Sequence, residues 1–279
     1  MSSSHRWSKV LLLLRPSQSY KVGVVILPAL FHGRGALASN LRPLLLLMAT
    51  WWVCSALVYV LNDLRDLKSD QQKPHRMDRP LASGAVTPSQ AWMLAGALAL
   101  ALLACMPYLS PASRPLLGLY LGLNAAYSLG LKRYMGLQQG IVAVGFLLRL
   151  QSGGAPSVPI PLTSWAATFT LGLAYFLNCM KGFGLIPEES RSRRWAMGLG
   201  AGLAGALALV ALALVCFKRA GEGHMRMPEL PPLFALMGMH RFAYQSSLAK
   251  GHGEQSTHFF GDAIVMLTIA GFLISFILA

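Results

Sequence analysis

Apolar stretches of about 17 to 20 residues recur along almost the whole chain, and no other feature restricts its fold so strongly. Coiled as an α-helix, with a rise of about 1.5 Å per residue, such a stretch crosses the hydrocarbon of a bilayer. Nine segments can be marked: Val22–Ala38, Leu44–Leu61, Gln90–Met106, Arg114–Leu131, Leu137–Leu150, Leu162–Met180, Trp195–Phe217, Pro231–Ala249 and Asp262–Ala279. The runs are continuous and do not alternate, which argues against a β-barrel. Charged residues make up only 12 % of the chain, about half the share of a soluble domain. The predicted fold class is therefore all-α, a polytopic membrane protein with about nine transmembrane helices. Residues 1–21 read as a basic, amphipathic cytoplasmic lead-in, and residues 22–279 as a single membrane domain.

A net charge of +14 would ordinarily raise the question of nucleic acid. Here the distribution of the charge gives another answer. Sixteen of the 24 Lys and Arg residues fall in the N-terminus and in the loops after the second, fourth, sixth and eighth spans. The positive-inside rule puts those segments in the cytoplasm, and an odd number of spans leaves the C-terminus outside. No nucleic-acid module is recognisable. The apolar run Val10–Leu14 is short and is followed by Arg15-Pro16, so no cleavable signal peptide is expected. Cys54, Cys105, Cys179 and Cys216 lie inside apolar runs without paired spacing and read as small core residues.

The polar residues concentrate after the second span. Of the ten acidic residues in the chain, Asp63, Asp66, Asp70 and Asp78 fall within this one short stretch. Asp63, Asp66 and Asp70 stand at i, i+3 and i+7, so a helix continuing past Leu61 carries all three on one face. Two carboxylates about 5 Å apart at an effective dielectric of about 20 repel by roughly 3 kcal/mol. Such a face calls for a cation, and hard oxygen ligands suit Mg²⁺, which takes one or two carboxylates and leaves its other positions to water and phosphate. Lys73, His75, Arg76 and Arg79 follow directly and could neutralise the remaining phosphate oxygens. Pro74, Pro80 and Gly84 break the segment up, and Thr87-Pro88-Ser89-Gln90 carries the signature of a helix start.

Asn62-Asp63-x-x-Asp66-x-x-x-Asp70 with Arg79-Pro80-Leu81-Ala82-Ser83-Gly84 resembles the first Asp-rich motif of the UbiA-type intramembrane prenyltransferases. Arg15-Pro16-x-Gln18-x-x-Lys21, Tyr127-Ser128-x-x-Leu131-Lys132-Arg133 and Leu148-Arg149 stand where that superfamily has counterparts. The Arg-Pro-x-Gln-x-x-Lys opening and the Lys73-Pro74-His75-Arg76-x-x-Arg79-Pro80 run are most similar to the decaprenyl-phosphate phosphoribosyltransferase branch. The loop after the sixth span departs from the family. It reads Asn178-Cys179-Met180-Lys181-Gly182 and onward without a DxxxD, and Glu188 and Glu189 stand at a different spacing. Gln138 and Gln139 occupy positions near which the branch often carries Asp.

The resemblance implies a central cavity open to the cytoplasm, where an inner-membrane lipid meets a soluble substrate. It implies a Mg²⁺-dependent transfer of phosphoribose from 5-phosphoribosyl diphosphate to a polyprenyl phosphate. Asp63, Asp66 and Asp70 would hold the metal with Asn62 in support. Lys73, His75, Arg76 and Arg79 would cradle the donor's phosphates, and Arg15, Gln18 and Lys21 the lipid phosphate. The alternative keeps the fold and moves a polyprenyl chain from its diphosphate to an aromatic or other acceptor. A non-catalytic lipid-binding or transport protein is a third reading. Tyr127, Lys132, Arg133 and Lys181 are further substrate-binding candidates, with topological charge as the competing explanation for the three cations. Arg149 sits within an apolar run and therefore needs a cavity or a partner. Arg241, Tyr244 and Asp262 either line the pocket or satisfy one another. His224, Met225 and Met227 have no metal-ligand spacing.

Overall fold

The computed structural model describes residues 9–73, 76–154, 163–184, 186, 189–248 and 262–277, and every regular element among them is helical. A 3-10 helix, Pro16–Ile26, leads into α1 (Leu27–Phe31) and then α2 (Arg34–Asp70). There follow α3 (Pro88–Cys105), α4 (Ser113–Leu129), α5 (Leu137–Gly153), α6 (Ser164–Phe183), α7 (Arg191–Gly221), α8 (Leu230–Leu248) and α9 (Ala263–Ile277). By length and composition Gly35–Asp70, Pro88–Tyr108 and Arg191–Gly221 are long and apolar enough to cross a membrane.

The first predicted span is interrupted. Val22–Ala38 is divided at His32–Gly33, where Gly33 turns the chain with φ 92°, and residues 34–38 belong to α2. Eleven residues of 3-10 helix at about 2.0 Å each and five of α-helix at about 1.5 Å reach about 30 Å, the thickness of a hydrocarbon core. The stretched 3-10 geometry lets a segment of few residues travel as far as a full membrane helix.

The other departure lies in α2. Its 37 residues extend about 55 Å, more than the roughly 40–45 Å of a bilayer with its headgroups. The helix therefore carries its last turns into the polar zone. Residues 62–70, expected at the head of a loop, are helical, and the loop begins at Gln71. It ends where the sequence indicated. The Thr87 hydroxyl accepts the Gln90 N–H at 3.3 Å while the Gln90 side-chain oxygen accepts the Thr87 N–H at 3.0 Å, a reciprocal cap for α3.

The buried apolar residues fall into separate clusters, with α6, α7 and α8 sharing one around Phe176, Met197 and Met239. The 3-10 helix and α2–α5 bury Leu44, Trp51, Leu117, Tyr120 and Leu148, while α1 joins α6, α7 and α9 around Phe169, Ala208, Leu212 and Phe276. Small residues set the closest approaches. A Cβ on Gly172 of α6 would lie 2.7 Å from the Ala204 carbonyl oxygen of α7. One on Gly153, the last residue of α5, would lie 2.0 Å from the Val25 carbonyl oxygen of the 3-10 helix. Backbone cannot yield as a flexible side chain can. Gly153→Ala is expected to destabilise the protein by about 1–3 kcal/mol, read as a lower melting temperature in detergent. Gly118→Ala, with nothing within 4 Å of the added methyl, leaves that temperature unchanged or raises it.

Candidate active site at the polar end of α2

A stripe of polar side chains runs down one face of α2 at the spacing of successive turns: Ser55, Tyr59, Asn62 and Asp63, Asp66, Asp70. The 3-10 helix lies against it. The Trp52 indole N–H donates to the Ser19 hydroxyl at 2.8 Å, and the Tyr59 hydroxyl donates to the Gln18 side-chain oxygen at 3.3 Å. Lys21 Nζ donates to that same oxygen at 2.6 Å. Just before the 3-10 helix, Arg15 has φ 50°, alone among the described non-glycine residues in being positive. This left-handed conformation costs about 1–2 kcal/mol. It accompanies a guanidinium seated 5.0 Å from the Tyr59 ring centre and 2.5 Å from Asp63 Oδ1.

Each aspartate of the stripe has a basic partner. Asp63 is 5 % exposed and is reached by both Arg15 and Arg79. Asp70 is 2 % exposed and takes Arg76 at 2.7 Å on one oxygen and Arg79 at 2.6 Å on the other. Arg79 thus ties the loop to two turns of the helix and holds the Asp63 and Asp70 carboxylates within about 6 Å of each other. Asp66, more open, pairs with Lys132 at 2.6 Å from the end of α4. Asn62 accepts a hydrogen bond from the Ser128 hydroxyl. The end of α2, the following loop, the start of the 3-10 helix and the end of α4 therefore meet in one charged cluster.

A second group of cations lies deeper. Lys21 lies near Lys181, Arg149 and Arg15, cations like itself. Arg149 is 3 % exposed. Its guanidinium donates to Ser55 and Tyr120 hydroxyls, both at 2.9 Å, and to the Gly145 carbonyl at 3.0 Å. Trp51, Tyr120 and Phe146 surround it, with ring centres 4.7 to 5.6 Å away. No carboxylate pairs with it among the described residues, and its Nε is buried without a hydrogen-bond partner.

The remaining expectations divide. Lys73 turns back to the Ser69 hydroxyl at 3.0 Å. Arg133 is exposed beside the cluster, whereas Tyr127 is linked to Gln138 and lies near Asp66. His75 and Glu188 lie outside the described residues. Gln139 accepts the Gly136 N–H at 2.8 Å and so starts α5; it does not face the aspartates' cluster as a ligand. Asp262 takes Arg241 at 2.7 Å and caps α9 through the Val265 N–H, which makes that pair a brace between α8 and α9. Tyr59 and Ser55 join the site without having been marked in the sequence, while Ser128 belongs to the motif that begins at Tyr127. Their signal was present, since Tyr59 and Ser55 stand four and eight residues before Asp63, on its face of the helix.

The carboxylate oxygens suit a hard cation in kind, since Mg²⁺ takes one or two carboxylates and fills its shell with water and phosphate. Asp63 and Asp70 are the two that Arg79 gathers. The three aspartates do not converge on one point, and no group of three or more His, Cys, Asp or Glu side chains among the described residues is arranged to hold a metal ion. Two cavities, of about 450 and 420 Å³, lie elsewhere, one against Arg191, Arg194 and Trp195 and one at the far end of the bundle.

Known proteins bear on this arrangement at two levels. A decaprenyl-phosphate phosphoribosyltransferase of Mycolicibacterium smegmatis is 36 % identical over 118 residues, which are 42 % of this chain and 36 % of that protein. The chain thus spans little more than a third of the length of that curated relative. Among solved structures, a UbiA homolog from Aeropyrum pernix K1 superposes with a TM-score of 0.68 at 17 % identity, covering 92 % of this chain and 96 % of that one. A UbiA homolog from Archaeoglobus fulgidus bound to DMAPP and Mg²⁺ gives 0.67 at 14 % identity, covering 96 % and 99 %. These similarities show a shared helical membrane fold. Residues 23–216, from the 3-10 helix to the last turns of α7, match the UbiA prenyltransferase family, and the chain is a member of that family of integral membrane proteins.

Proposed function

We propose that the protein is a Mg²⁺-dependent transferase of the inner membrane that moves phosphoribose from 5-phosphoribosyl diphosphate to a polyprenyl phosphate, with its site facing the cytoplasm. One observation carries this reading: beside the acid-paired cations at the end of α2 stands a buried cation, Arg149, with which no carboxylate pairs among the described residues. In the outer group Arg15, Arg76, Arg79 and Lys132 face Asp63, Asp66 and Asp70, a formal charge of +1. A Mg²⁺-bound diphosphate, formally about −1, balances it. The inner cations Arg149 and Lys21 are held by neutral groups, the first by two hydroxyls and a carbonyl and the second by the Gln18 side-chain oxygen. A cation buried without an acid is costly, and a second phosphate would relieve that cost. A donor with two phosphorylated ends and a phosphorylated lipid suit two groups. A prenyl diphosphate with a neutral acceptor needs only the first.

In the proposed reaction an oxygen of the lipid phosphate attacks the anomeric carbon of the donor. The bond from that carbon to the diphosphate breaks, and the electron pair leaves with the diphosphate. Arg76, Arg79 and Lys132 would transfer hydrogen bonds from carboxylates to phosphate oxygens as the leaving group gains charge. Asp63 and Asp70, with Asp66 at the rim, would hold Mg²⁺, which when bound supplies positive charge to the diphosphate. Arg15 and Lys21, steadied by Gln18 and Tyr59, would orient the lipid phosphate. His75, Lys73 and Arg133 would complete the cationic margin.

Prenyl transfer to another acceptor is the second reading, favoured by the family's name and by the DMAPP and Mg²⁺ held by the Archaeoglobus protein. A transport path gains less support. Below Arg149 the polar contacts pass to neutral groups, with the Trp51 indole N–H donating to the Ser152 hydroxyl at 2.6 Å and the Ser113 hydroxyl donating to the Ser152 carbonyl at 3.4 Å. The purified protein with Mg²⁺ is to be offered radiolabelled 5-phosphoribosyl diphosphate with polyprenyl phosphate, or labelled prenyl diphosphate with aromatic acceptors. The expected result is label from phosphoribose in the lipid fraction. Consumption of prenyl diphosphate alone would overturn the phosphoribosyl reading in favour of the second.

A further inference from the structure

A cavity of about 420 Å³ lies at the end of the bundle away from the aspartates, between α1, the start of α6 and the last turns of α7. Its walls are of two kinds. Phe31, Ala166 and Val215 form a buried apolar side, and Trp165, 45 % exposed, stands among the lining residues. Lys218, Arg219, His32 and His224 form the other. The acid in this wall, Glu222, is 3.9 Å from Lys218, so with neutral histidines the formal charge is +1. Lys218 and Arg219 gain something from the carbonyl end of α7. That accounts for cations at a helix end, but it leaves Arg219 Nε buried without a hydrogen-bond partner among the described residues. The other contact of this guanidinium is a long one, 3.5 Å to the His224 carbonyl.

We infer that this cavity holds the phosphodiester of a membrane phospholipid from the leaflet opposite the Asp-rich end. A phosphodiester carries a single negative charge, which matches the wall. Its oxygens accept from Arg219 and Lys218, and the N-terminus of the 20-residue α6 at Thr163 adds a favourable dipole. The acyl side has a surface to follow. On α7, Leu207, Val210, Leu214 and Phe217 are exposed at turn spacing and adjoin the cavity's face of the helix. An amphipathic indole among the lining residues is the side chain that membrane interfaces favour. The inference does not depend on which substrate the aspartate cluster handles.

The test uses the full-length protein, delipidated in detergent and titrated with dioleoyl phosphatidylglycerol, with bound lipid counted by native mass spectrometry. Arg219→Gln and Lys218→Gln are compared with Arg193→Gln, a cation at the opposite end of α7. Wild type and Arg193→Gln are expected to retain one lipid that both cavity variants bind at least about fivefold more weakly. Lys218 is exposed, so its variant reports even if Arg219→Gln fails to fold. Equal retention by Lys218→Gln and wild type would overturn the site. Displacement of the lipid by millimolar inorganic phosphate or sn-glycerol 3-phosphate would show a free-phosphate site and overturn the phospholipid assignment.

Discussion

Asp63→Asn is expected to lower turnover roughly 100- to 1,000-fold, the scale on which a single preorganised charge contact at a reacting centre is worth. The substitution keeps the shape and removes the charge from the carboxylate that meets Arg15 at 2.5 Å and Arg79 at 3.3 Å. Arg79 keeps its stronger contact with Asp70, so the loop stays tied to α2. Membrane insertion, monodispersity in detergent and melting temperature should therefore change little. The loss should appear in kcat and in the Mg²⁺ concentration needed for half activity. Full turnover in excess Mg²⁺ would remove Asp63 from the site.

Arg149→Met should separate stability from activity in the opposite way. The arginine is 3 % exposed and held by neutral partners, Ser55, Tyr120 and the Gly145 carbonyl. Replacing buried ionic groups by apolar ones of similar volume is often neutral or stabilising by about 1–4 kcal/mol. The melting temperature should hold or rise, because a charge that repels Lys21 has gone. Activity should fall by about 100-fold or more, since the inner group loses the cation that is fixed from three directions. A protein that melts far lower and keeps its specific activity would make Arg149 a structural brace alone.

The sequence made some of this plain and concealed the rest for physical reasons. The shared face of the three aspartates was legible from their i, i+3, i+7 spacing, whereas hydropathy ends the span at Leu61 and leaves the helical continuation through Asp70 unmarked. The cap at Thr87 was legible because capping is local. The break in the first span was not, although Gly33 and Gly35 flank it; hydropathy registers apolar length and is blind to a turn inside it. The pairing of Arg15 with Asp63 and of Lys132 with Asp66 joins residues 48 and 66 positions apart, which only packing reveals. The aspartates were read as a bare acidic face in need of a metal. In the folded protein basic residues of the same motifs pair with them, and their spread along the helix axis keeps three acids on one face from converging on a point. Arg149 was marked by its surroundings alone, but the aromatic walls that hold it come from α2, α4 and α5 together. Gln139 stands near where the resembled branch often carries Asp, and here its side-chain oxygen accepts the Gly136 N–H and so starts α5.

The proposed function requires that arginines at the end of α2 exchange carboxylate for phosphate to hold diphosphate, with Mg²⁺ seated by the aspartates they release. Calorimetric titration of the detergent-purified protein with inorganic diphosphate tests this without any assumption about substrate. Binding should be strong with Mg²⁺, at least about tenfold weaker with chelator present, and weakened to a similar degree in Asp63→Asn. Equal affinity with and without the metal, unchanged in that variant, would contradict it.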